Sequence, residues 1–155
     1  MKNDCLFCAI AAGEIPSNKV YEDELCYAFR DIAPQAPTHF LVIPKVHIAS
    51  VSGINAENSA VVAHIFEVIA KVTKEMGIES YRVVSNIGEQ AGQSVPHLHF
   101  HVLAGRDMTW PPGGELNIPK GMGLPRPARR RRKGGFSTVE NTPFGTPRER
   151  KGQAP

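Results

Sequence analysis

Three histidines alternate with apolar residues where residues 97–103 read His-Leu-His-Phe-His-Val-Leu. In an extended strand, side chains two residues apart share a face and lie roughly 6.6 Å from each other. His97, His99 and His101 would therefore line one face, while the apolar residues between them pack on the other. Imidazole can be a nucleophile, a proton donor or a metal ligand near pH 7. A polar face turned to water would not explain histidine three times, so the spacing predicts a reactive site.

Other polar residues with chemical potential lie at predicted strand ends and loops around this segment: Asp31, His39, His47, Asn86 and Ser94. A histidine elsewhere in a chain is more often structural than catalytic. We interpret His64 in that way, because it shares a predicted helix face with Glu57, Glu67, Lys71 and Lys74. It is expected to be solvated.

The elements that would position these residues can be predicted from periodicity and breakers. A long helix is expected to begin at Asn58 or Ser59 and to end at Gly77, because apolar residues recur at helical spacing between them. A short helix is expected over residues 4–12. β-rich segments predict strands at 19–21, 24–30, 39–44, 81–86 and 96–103. The sum is an α+β domain: a five-stranded antiparallel sheet with one long helix and a short N-terminal helix.

Composition limits the class of protein. The chain has 155 residues, of which 41% are hydrophobic, as expected for one soluble globular domain. No stretch approaches the roughly 18 to 20 apolar residues of a membrane span, and residues 1–5 have no apolar signal core. Three cysteines, two of them spaced Cys5-x-x-Cys8, do not suggest a disulfide framework. We therefore expect a cytoplasmic protein without a membrane partner.

The charge of the chain is divided unevenly. Residues 1–113 carry 8 Lys and Arg against 12 Asp and Glu, whereas residues 114–155 carry 10 against 3. The second segment also has 13 Pro and Gly among 42 residues, and too few apolar residues to offset the entropy of ordering. We predict a disordered basic tail over 114–155. Its Arg129–Lys133 cluster could bind nucleic acid weakly, although such tails are usually only solvated.

The alternating histidine segment and three further segments resemble the histidine triad (HIT) family, and within it the HINT branch of purine nucleoside phosphoramidate hydrolases. The family signature is the alternation of residues 97–103. Further similarity lies in Asp31 to Lys45, in Gly92-Gln93-Ser94-Val95 and in Trp110-Pro111-Pro112-Gly113. The resemblance implies a HIT-like fold over a domain of residues 1–113. It also implies a homodimer in which the two sheets join into one.

The resemblance further implies covalent catalysis on the α-phosphate of a nucleotide. His99 would attack phosphorus and form a nucleotidyl-histidine that water hydrolyses, with its second ring nitrogen held by a backbone carbonyl. His101 and His39 would hydrogen-bond the phosphate oxygens, whose charge otherwise repels a nucleophile. Ser94 would lie near the leaving amine. The implied substrates are purine nucleoside 5′-phosphoramidates and acyl-adenylates.

Substrate contacts carried over from the family lie in several segments. Asp31 would accept hydrogen bonds from the ribose hydroxyls, and Asn86 would contact phosphate or position a histidine. Backbone NH groups of Gln93, Ser94 and Val95 would cradle the phosphate. The apolar positions that match the family's base pocket are Phe7, Ile15 and Ile32.

Cys5 and Cys8 together with two distant histidines have the ligand types and local spacing of a Cys₂His₂ zinc site. Some prokaryotic relatives resemble this chain in having such a site, and here the histidines would be His47 and His97. A closed shell of four ligands would make the zinc structural. A thiol redox pair and a packed helix turn remain alternatives, while Cys26 is interpreted as a core residue.

Other functions remain open. Cleavage of dinucleoside polyphosphates and nucleotidyl transfer to another acceptor would use the same histidines. A non-catalytic nucleotide-binding scaffold is an alternative from a different class, and it would bind nucleotide without turnover. Pro96 stands where some relatives have an aromatic residue, so the contact with the leaving group is expected to differ.

Overall fold

A computed structural model describes residues 4–110 and Pro112. The predicted tail at 114–155, its arginine cluster and the domain boundary at Gly113 lie outside these residues. No helix in the described part is long and apolar enough to cross a membrane.

Five antiparallel strands form one sheet in the spatial order β1-β2-β3-β5-β4. The strands are β1 (Lys19–Glu22), β2 (Cys26–Arg30), β3 (Thr38–Pro44), β4 (Tyr81–Val84) and β5 (Phe100–Ala104). Helix α1 (Leu6–Ala11) precedes them, and helix α2 (Ser59–Glu75) connects β3 to β4. The predicted α+β class, the five antiparallel strands, the long helix and the short N-terminal helix are confirmed.

Alternating side chains of the central strands divide the core into two layers. Phe40 and Val42 of β3 pack towards α2, together with its apolar residues Val61, Ile65, Val68, Ile69 and Val72. Leu41 and Ile43 pack on the opposite face against α1 and β2. Full burial of each such side chain contributes about 1.5–3 kcal/mol. The sheet is therefore held from both sides, and both faces of its central strand are buried.

The segment before β5 differs from the prediction. The ladder begins at Phe100 rather than Pro96, so only His101 of the three alternating histidines lies within a strand. Pro96 has no NH to donate, the NH of His97 bonds to Val95 O at 2.8 Å, and the NH of Leu98 bonds to Ile48 O at 2.6 Å. These bonds take the segment out of the sheet. The alternation nevertheless persists, because Leu98, Phe100 and Val102 are buried in the core beneath α2.

The prediction that His64 is only solvated is wrong. Its Nε2 lies 2.6 Å from Oδ2 of Asp23, in the turn between β1 and β2, and its side chain is 29% exposed. Burial alone would raise the pKa of the Asp23 carboxyl. Hydrogen bonds from Cys26 NH, His64 and Leu25 NH instead hold that pKa well below its ordinary value. The pair ties α2 to the β1–β2 turn.

Candidate active site

The imidazole of His99 is held in one tautomer by its own chain. Its Nδ1 lies 2.6 Å from the carbonyl oxygen of His97, and a carbonyl can only accept, so Nδ1 carries the proton. The other nitrogen, Nε2, therefore keeps its lone pair. Ser85 Oγ donates to the carbonyl of His99 at 2.9 Å and fixes the backbone there. Only 4% of His99 is exposed, so a nucleophilic nitrogen would be shielded from bulk water.

A second pair of histidines forms a directed chain of hydrogen bonds beside it. The NH of Gln35 donates to Nδ1 of His39 at 3.0 Å, so the proton of this imidazole lies on Nε2. That Nε2 lies 2.9 Å from Nδ1 of His101, which must accept. His101 consequently carries its own proton on Nε2. The two residues occupy diagonal positions on β3 and β5, and the pair presents one NH donor rather than two lone pairs.

Burial keeps this pair neutral. Desolvation, with the neighbouring His99 and His39, lowers the pKa of His101 to about 4, although Asp31 opposes the shift. Desolvation likewise lowers the pKa of His39 and is partly offset by Asp31. Both imidazoles are therefore uncharged at neutral pH and act as hydrogen-bond donors through Nε2.

This arrangement makes stability dependent on pH. Above pH 6.5, the ordinary histidine value, His101 is neutral in both the folded and unfolded chain. Between pH 6.5 and about 4, only the unfolded chain binds the proton. The free energy of unfolding therefore decreases as the pH is lowered through this range, by on the order of 3 kcal/mol. His101→Gln should flatten this decline in urea unfolding at pH 7, 5.5 and 4.5. Equal slopes for both proteins would contradict the assignment. The lowered pKa of Asp23 also stabilises the folded chain, and this stabilisation is lost only at still lower pH.

A cavity of about 280 Å³ opens beside His99 and His101. Its remaining lining is mostly apolar and comes from α1, β2, β3 and the loop before β5: Leu6, Phe7, Ile10, Phe29, Asp31, Ile32, Leu41, Ser94 and Val95. The Phe7 ring stands edge-on to His99 with centroids 5.2 Å apart. Seven of the predicted substrate residues thus meet here: Phe7, Asp31, Ile32, Ser94, Val95, His99 and His101.

Asp31 faces the histidines as well as the cavity. Its Oδ1 accepts from the NH of Ala33 at 2.8 Å. Its Oδ2 lies 3.5 Å from Nε2 of His39 and 3.9 Å from Nδ1 of His101. The carboxylate can therefore accept from a ligand in the cavity while it favours the protonated form of the histidine pair.

The loop before β5 has only part of its predicted phosphate cradle available. The NH of Gln93 already donates to Gly88 O at 3.1 Å, and its side-chain amide donates to Ala49 O at 2.7 Å. Gln93 thus holds the loop, with the NH groups of Ser94 and Val95 remaining as candidate phosphate contacts. The turn at Gly92 has φ +91°, which a residue with a side chain rarely adopts.

Besides Gln93, two predicted substrate residues lie outside this cavity. Ile15 is 37% exposed and lines a separate depression beside Cys5 and Cys8, because the chain turns away at Gly13 after α1 ends. Asn86 lines a different cavity, on the side of His39. Ile15 therefore does not contribute to the cavity wall near Phe7. Asn86 shares its cavity with His39 and His101.

The four predicted metal ligands come together between α1 and the start of β5. Cys5 Sγ lies 3.3 Å and Cys8 Sγ 3.5 Å from Nδ1 of His97, and Cys8 Sγ lies 3.3 Å from Nδ1 of His47. The four donor atoms lie within 4.8 Å of one another. His97 Nε2 donates to Pro44 O at 2.9 Å, so its Nδ1 lone pair faces the thiols. Such a fixed tautomer is typical of metal-ligating histidines, and the cluster could hold a metal ion.

The raised pKa of the Cys8 thiol favours a metal site over a redox pair. Burial, with the hydrogen bond and charge of Cys5, raises the pKa of the Cys8 thiol to about 11. A reactive thiol pair would need a lowered pKa. A bound cation would supply the charge that deprotonates these sulfurs. Cys26 is fully buried in the core, as predicted, and burial and Asp23 raise its pKa to about 12.

The fold and the histidine cluster define a HIT-domain protein, and the comparisons with known proteins agree. The model of the HIT domain family matches residues 12–108. An uncharacterized HIT-like protein of Synechococcus elongatus is 48% identical over 114 residues, which are 73% of this chain and 100% of that protein. This chain therefore belongs to the histidine triad family.

Two solved structures extend the similarity to three dimensions. A HIT family hydrolase from Legionella pneumophila has a TM-score of 0.69 at 50% identity, and the match covers 71% of this chain and 100% of that one. A HIT family hydrolase from Clostridium thermocellum has a TM-score of 0.67 at 45% identity, over 70% and 96% of the two chains. These relatives support a hydrolase.

The sequence resemblance implied that a backbone carbonyl holds the ring of His99, but it did not identify the residue that provides it, which is His97. Sequence reasoning missed two further groups that orient the histidines, the backbone NH of Gln35 and the hydroxyl of Ser85. Backbone groups have no sequence signature, and Ser85 is separated from its partner by 14 residues. No signal in a single sequence would have identified them.

Proposed function

We propose that this protein hydrolyses the P–N bond of purine nucleoside 5′-phosphoramidates, and acyl-adenylates, through a covalent nucleotidyl-His99 intermediate, as a member of the HINT-like branch. The observation that carries the proposal is the 2.6 Å bond from His99 Nδ1 to the carbonyl of His97. It leaves the Nε2 lone pair of a shielded imidazole beside a cavity with the volume and apolar walls that suit a nucleoside.

In the first step, the Nε2 lone pair of His99 forms a bond to phosphorus and the P–N bond breaks. The amine leaves with the bonding electrons and takes up a proton. The Ser94 hydroxyl is the candidate group for delivering this proton. The NH of His101 Nε2 stabilises the phosphate oxygens, and His39 holds His101 in the donating tautomer. In the second step, water attacks phosphorus, loses a proton and releases the nucleoside monophosphate and His99.

The walls of the cavity suggest how the nucleoside is oriented. The Phe7 ring and the exposed Ile32 side chain offer apolar contacts to a purine base. Asp31 offers an acceptor to the ribose hydroxyls. The NH groups of Ser94 and Val95 would donate to the phosphate oxygens. These contacts would place the reacting phosphorus next to His99.

The test is steady-state amine release from adenosine 5′-phosphoramidate, with diadenosine polyphosphate and guanosine 5′-phosphoramidate as parallel substrates. Rapid turnover of the phosphoramidates, and a protein mass increased by one nucleoside monophosphate after acid quench, would support the proposal. Preferred cleavage of the polyphosphate would favour the alternative hydrolase. Transfer of the nucleotide to an added alcohol instead of water would favour a nucleotidyltransferase. Nucleotide binding without turnover of any substrate would favour a scaffold.

We also propose that the cluster of two cysteines and two histidines holds a structural zinc ion. Cys5, Cys8, His47 and His97 would fill a tetrahedral shell, so the ion would stabilise α1 against the sheet and take no part in the reaction. Cysteines are kept reduced in the cytosol, so we retain the cytoplasm as the proposed location.

A homodimer is proposed from the β4 edge of the sheet. Strand β4 ends the strand order, and two large apolar side chains at or beside it are exposed, namely Tyr81 of β4 and Phe66 of α2. Phe66 packs on Phe100 of the adjacent strand with ring centroids 5.2 Å apart, so it lies beside this edge. An unpaired edge next to apolar side chains favours pairing with a second copy.

Phe66→Glu is expected to convert this dimer to a monomer in light scattering, because a carboxylate would be buried at the contact. Leu25→Glu is the matched control, since Leu25 is 49% exposed in the β1–β2 turn at the other side of the sheet. A monomeric wild-type protein, or a Phe66→Glu variant that stays dimeric, would contradict the proposal.

A further inference from the structure

Another group of potential metal ligands meets where the β1–β2 turn contacts α2. Asp23 lies in this turn, Cys26 is the first residue of β2, and His64 belongs to α2. Their donor atoms, a carboxylate oxygen, a thiol sulfur and an imidazole nitrogen, lie within 4.8 Å of one another. None of the three residues lines the two cavities described above or belongs to the cluster of Cys5 and Cys8. The proposed reaction and the proposed structural zinc therefore leave this group unused.

The carboxylate of Asp23 is oriented by backbone groups. Its Oδ1 accepts from the NH of Leu25 at 2.8 Å and from the NH of Cys26 at 2.9 Å. These bonds direct Oδ2 at Nε2 of His64, 2.6 Å away, and the Tyr21 hydroxyl donates to the same Oδ2 at 3.1 Å. Metal-binding carboxylates are typically hydrogen-bonded in this way. The oxygen donor is thus held in place by the turn itself.

His64 has a carboxylate near each of its ring nitrogens. Oε2 of Glu67, one turn further along α2, lies 4.0 Å from Nδ1. When Nε2 binds an ion, the proton of the neutral imidazole lies on Nδ1, and Glu67 is the acceptor beside it. A carboxylate behind the second nitrogen is typical of metal-ligating histidines. The surroundings of His64 therefore suit coordination through Nε2.

A comparable group at the histidine pair suits an ion less well. The donor atoms of Asp31, His39 and His101 also lie within 4.8 Å of one another. The NH of Gln35, however, donates to Nδ1 of His39, so the Nε2 that faces this group carries the proton and has no lone pair for a metal. Among the described residues, no backbone NH donates to Nδ1 of His64. Its tautomer can therefore change when an ion binds.

Cys26 contributes the buried donor of the group. Its side chain is fully buried, and burial and the charge of Asp23 raise the pKa of its thiol to about 12. A bound cation would remove that proton by stabilising the thiolate. The side chains of His64 and Asp23 are 29% and 23% exposed, so an ion reaches the sulfur between them. Their facing atoms must separate to about 3.3 Å, the ligand spacing around a tetrahedral ion with bonds of roughly 2.0 Å.

We propose that Asp23, Cys26 and His64 bind a second, exchangeable zinc ion, with water as the fourth ligand. Oxygen, sulfur and nitrogen donors together suit zinc, whereas calcium and magnesium take oxygen ligands. Three protein donors hold an ion less tightly than the four donors of the other cluster. This ion is therefore expected to leave during purification and to bind again when metal is added. It links α2 to the β1–β2 turn, and it does not depend on the proposed hydrolysis.

The test uses Co²⁺, because thiolate coordination to this ion produces a charge-transfer absorption band in the near ultraviolet. Full-length protein purified without chelator is titrated with Co²⁺ at neutral pH. The wild type should develop the band with one ion bound per chain, and excess zinc should remove it. Cys26→Ala and His64→Ala should each lose the band or bind Co²⁺ at least about 100-fold more weakly. Excess zinc should raise the melting temperature of the wild type by about 5 °C or more, but not that of these variants.

Glu67→Gln and Glu75→Gln are a matched pair of variants on α2. Glu67 faces Nδ1 of His64, whereas Glu75 is exposed in the last turn of the helix. The first change should weaken Co²⁺ binding by about tenfold, and the second should leave it unchanged. Thermal unfolding without added metal shows whether each variant is folded, and His64→Gln serves if His64→Ala is not.

A wild-type protein without the cobalt–thiolate band would overturn the second site. A band that persists in both Cys26→Ala and His64→Ala would do the same, because the ion would then have other ligands. Loss of that persisting band in Cys8→Ser would place the ion in the first cluster. Amine release is measured separately, so none of these outcomes is confused with failure of the proposed hydrolysis.

Discussion

Replacement of His99 by alanine is expected to lower kcat for adenosine 5′-phosphoramidate by about 10⁴-fold or more, because no other group would form the covalent bond to phosphorus. His101, held in its donating tautomer by His39, would still bind the phosphate oxygens, so nucleoside monophosphate should bind the variant with an affinity within a few fold of wild type. The measurement is amine release under saturating substrate, with the dissociation constant determined separately by calorimetry.

His64→Ala provides the matched histidine control. This residue pairs with Asp23 of the β1–β2 turn and lines neither cavity, so its loss should leave turnover near the wild-type rate. Near-normal turnover in His99→Ala would exclude covalent catalysis by this residue. A variant with equal losses of binding and turnover would instead show that His99 acts in holding the ligand.

Removal of the proposed metal is expected to lower the melting temperature by at least about 10 °C, which corresponds to a loss of several kcal/mol. Helix α1 has six residues and no side-chain hydrogen bond at its N-cap, Cys5. A helix so short is not stable by itself and depends on what holds it to the sheet. Cys8→Ser and chelator treatment should therefore produce similar shifts, measured with metal content by elemental analysis.

Removal of the metal should also weaken nucleotide binding. Phe7 lies between the two cysteines and stands edge-on to both His97 and His99, with centroids 6.0 and 5.2 Å apart. Loss of the metal would release this wall of the cavity, and the dissociation constant for AMP should rise. Cys26→Ala is the control, because it removes a core thiol outside the cluster and should retain the metal. Protein that is purified without chelator and lacks zinc would refute the site.

Local patterns in the sequence predicted most of the secondary structure. The apolar repeat from Val61 to Val72 predicted α2, and Gly77, with φ +69°, follows its end as expected. The alternation around His99 correctly separated a buried face from a polar face. These predictions were correct because a helix or strand that is buried on one side requires apolar residues at the spacing of that element.

Contacts between distant segments could not be predicted in this way. His39 and His101 are 62 residues apart, and their hydrogen bond depends on the pairing of β3 with β5. His64 looked solvated on the helix alone, but the β1–β2 turn brings Asp23 to it. Ile15 does not line the cavity beside His99, because the chain turns after α1. Each outcome depends on packing that no local window contains.

The sequence by itself determined the histidine triad and the α+β class through residue types at fixed spacing, and it indicated the family through the resemblance of several segments. The tertiary structure decided which nitrogen of each histidine carries the proton, since His97, Gln35 and Pro44 contribute the backbone groups that accept or donate there. It also decided that His64 of α2 meets the β1–β2 turn. Imidazole chemistry depends on a single proton, and its position is set by backbone groups that any residue type carries.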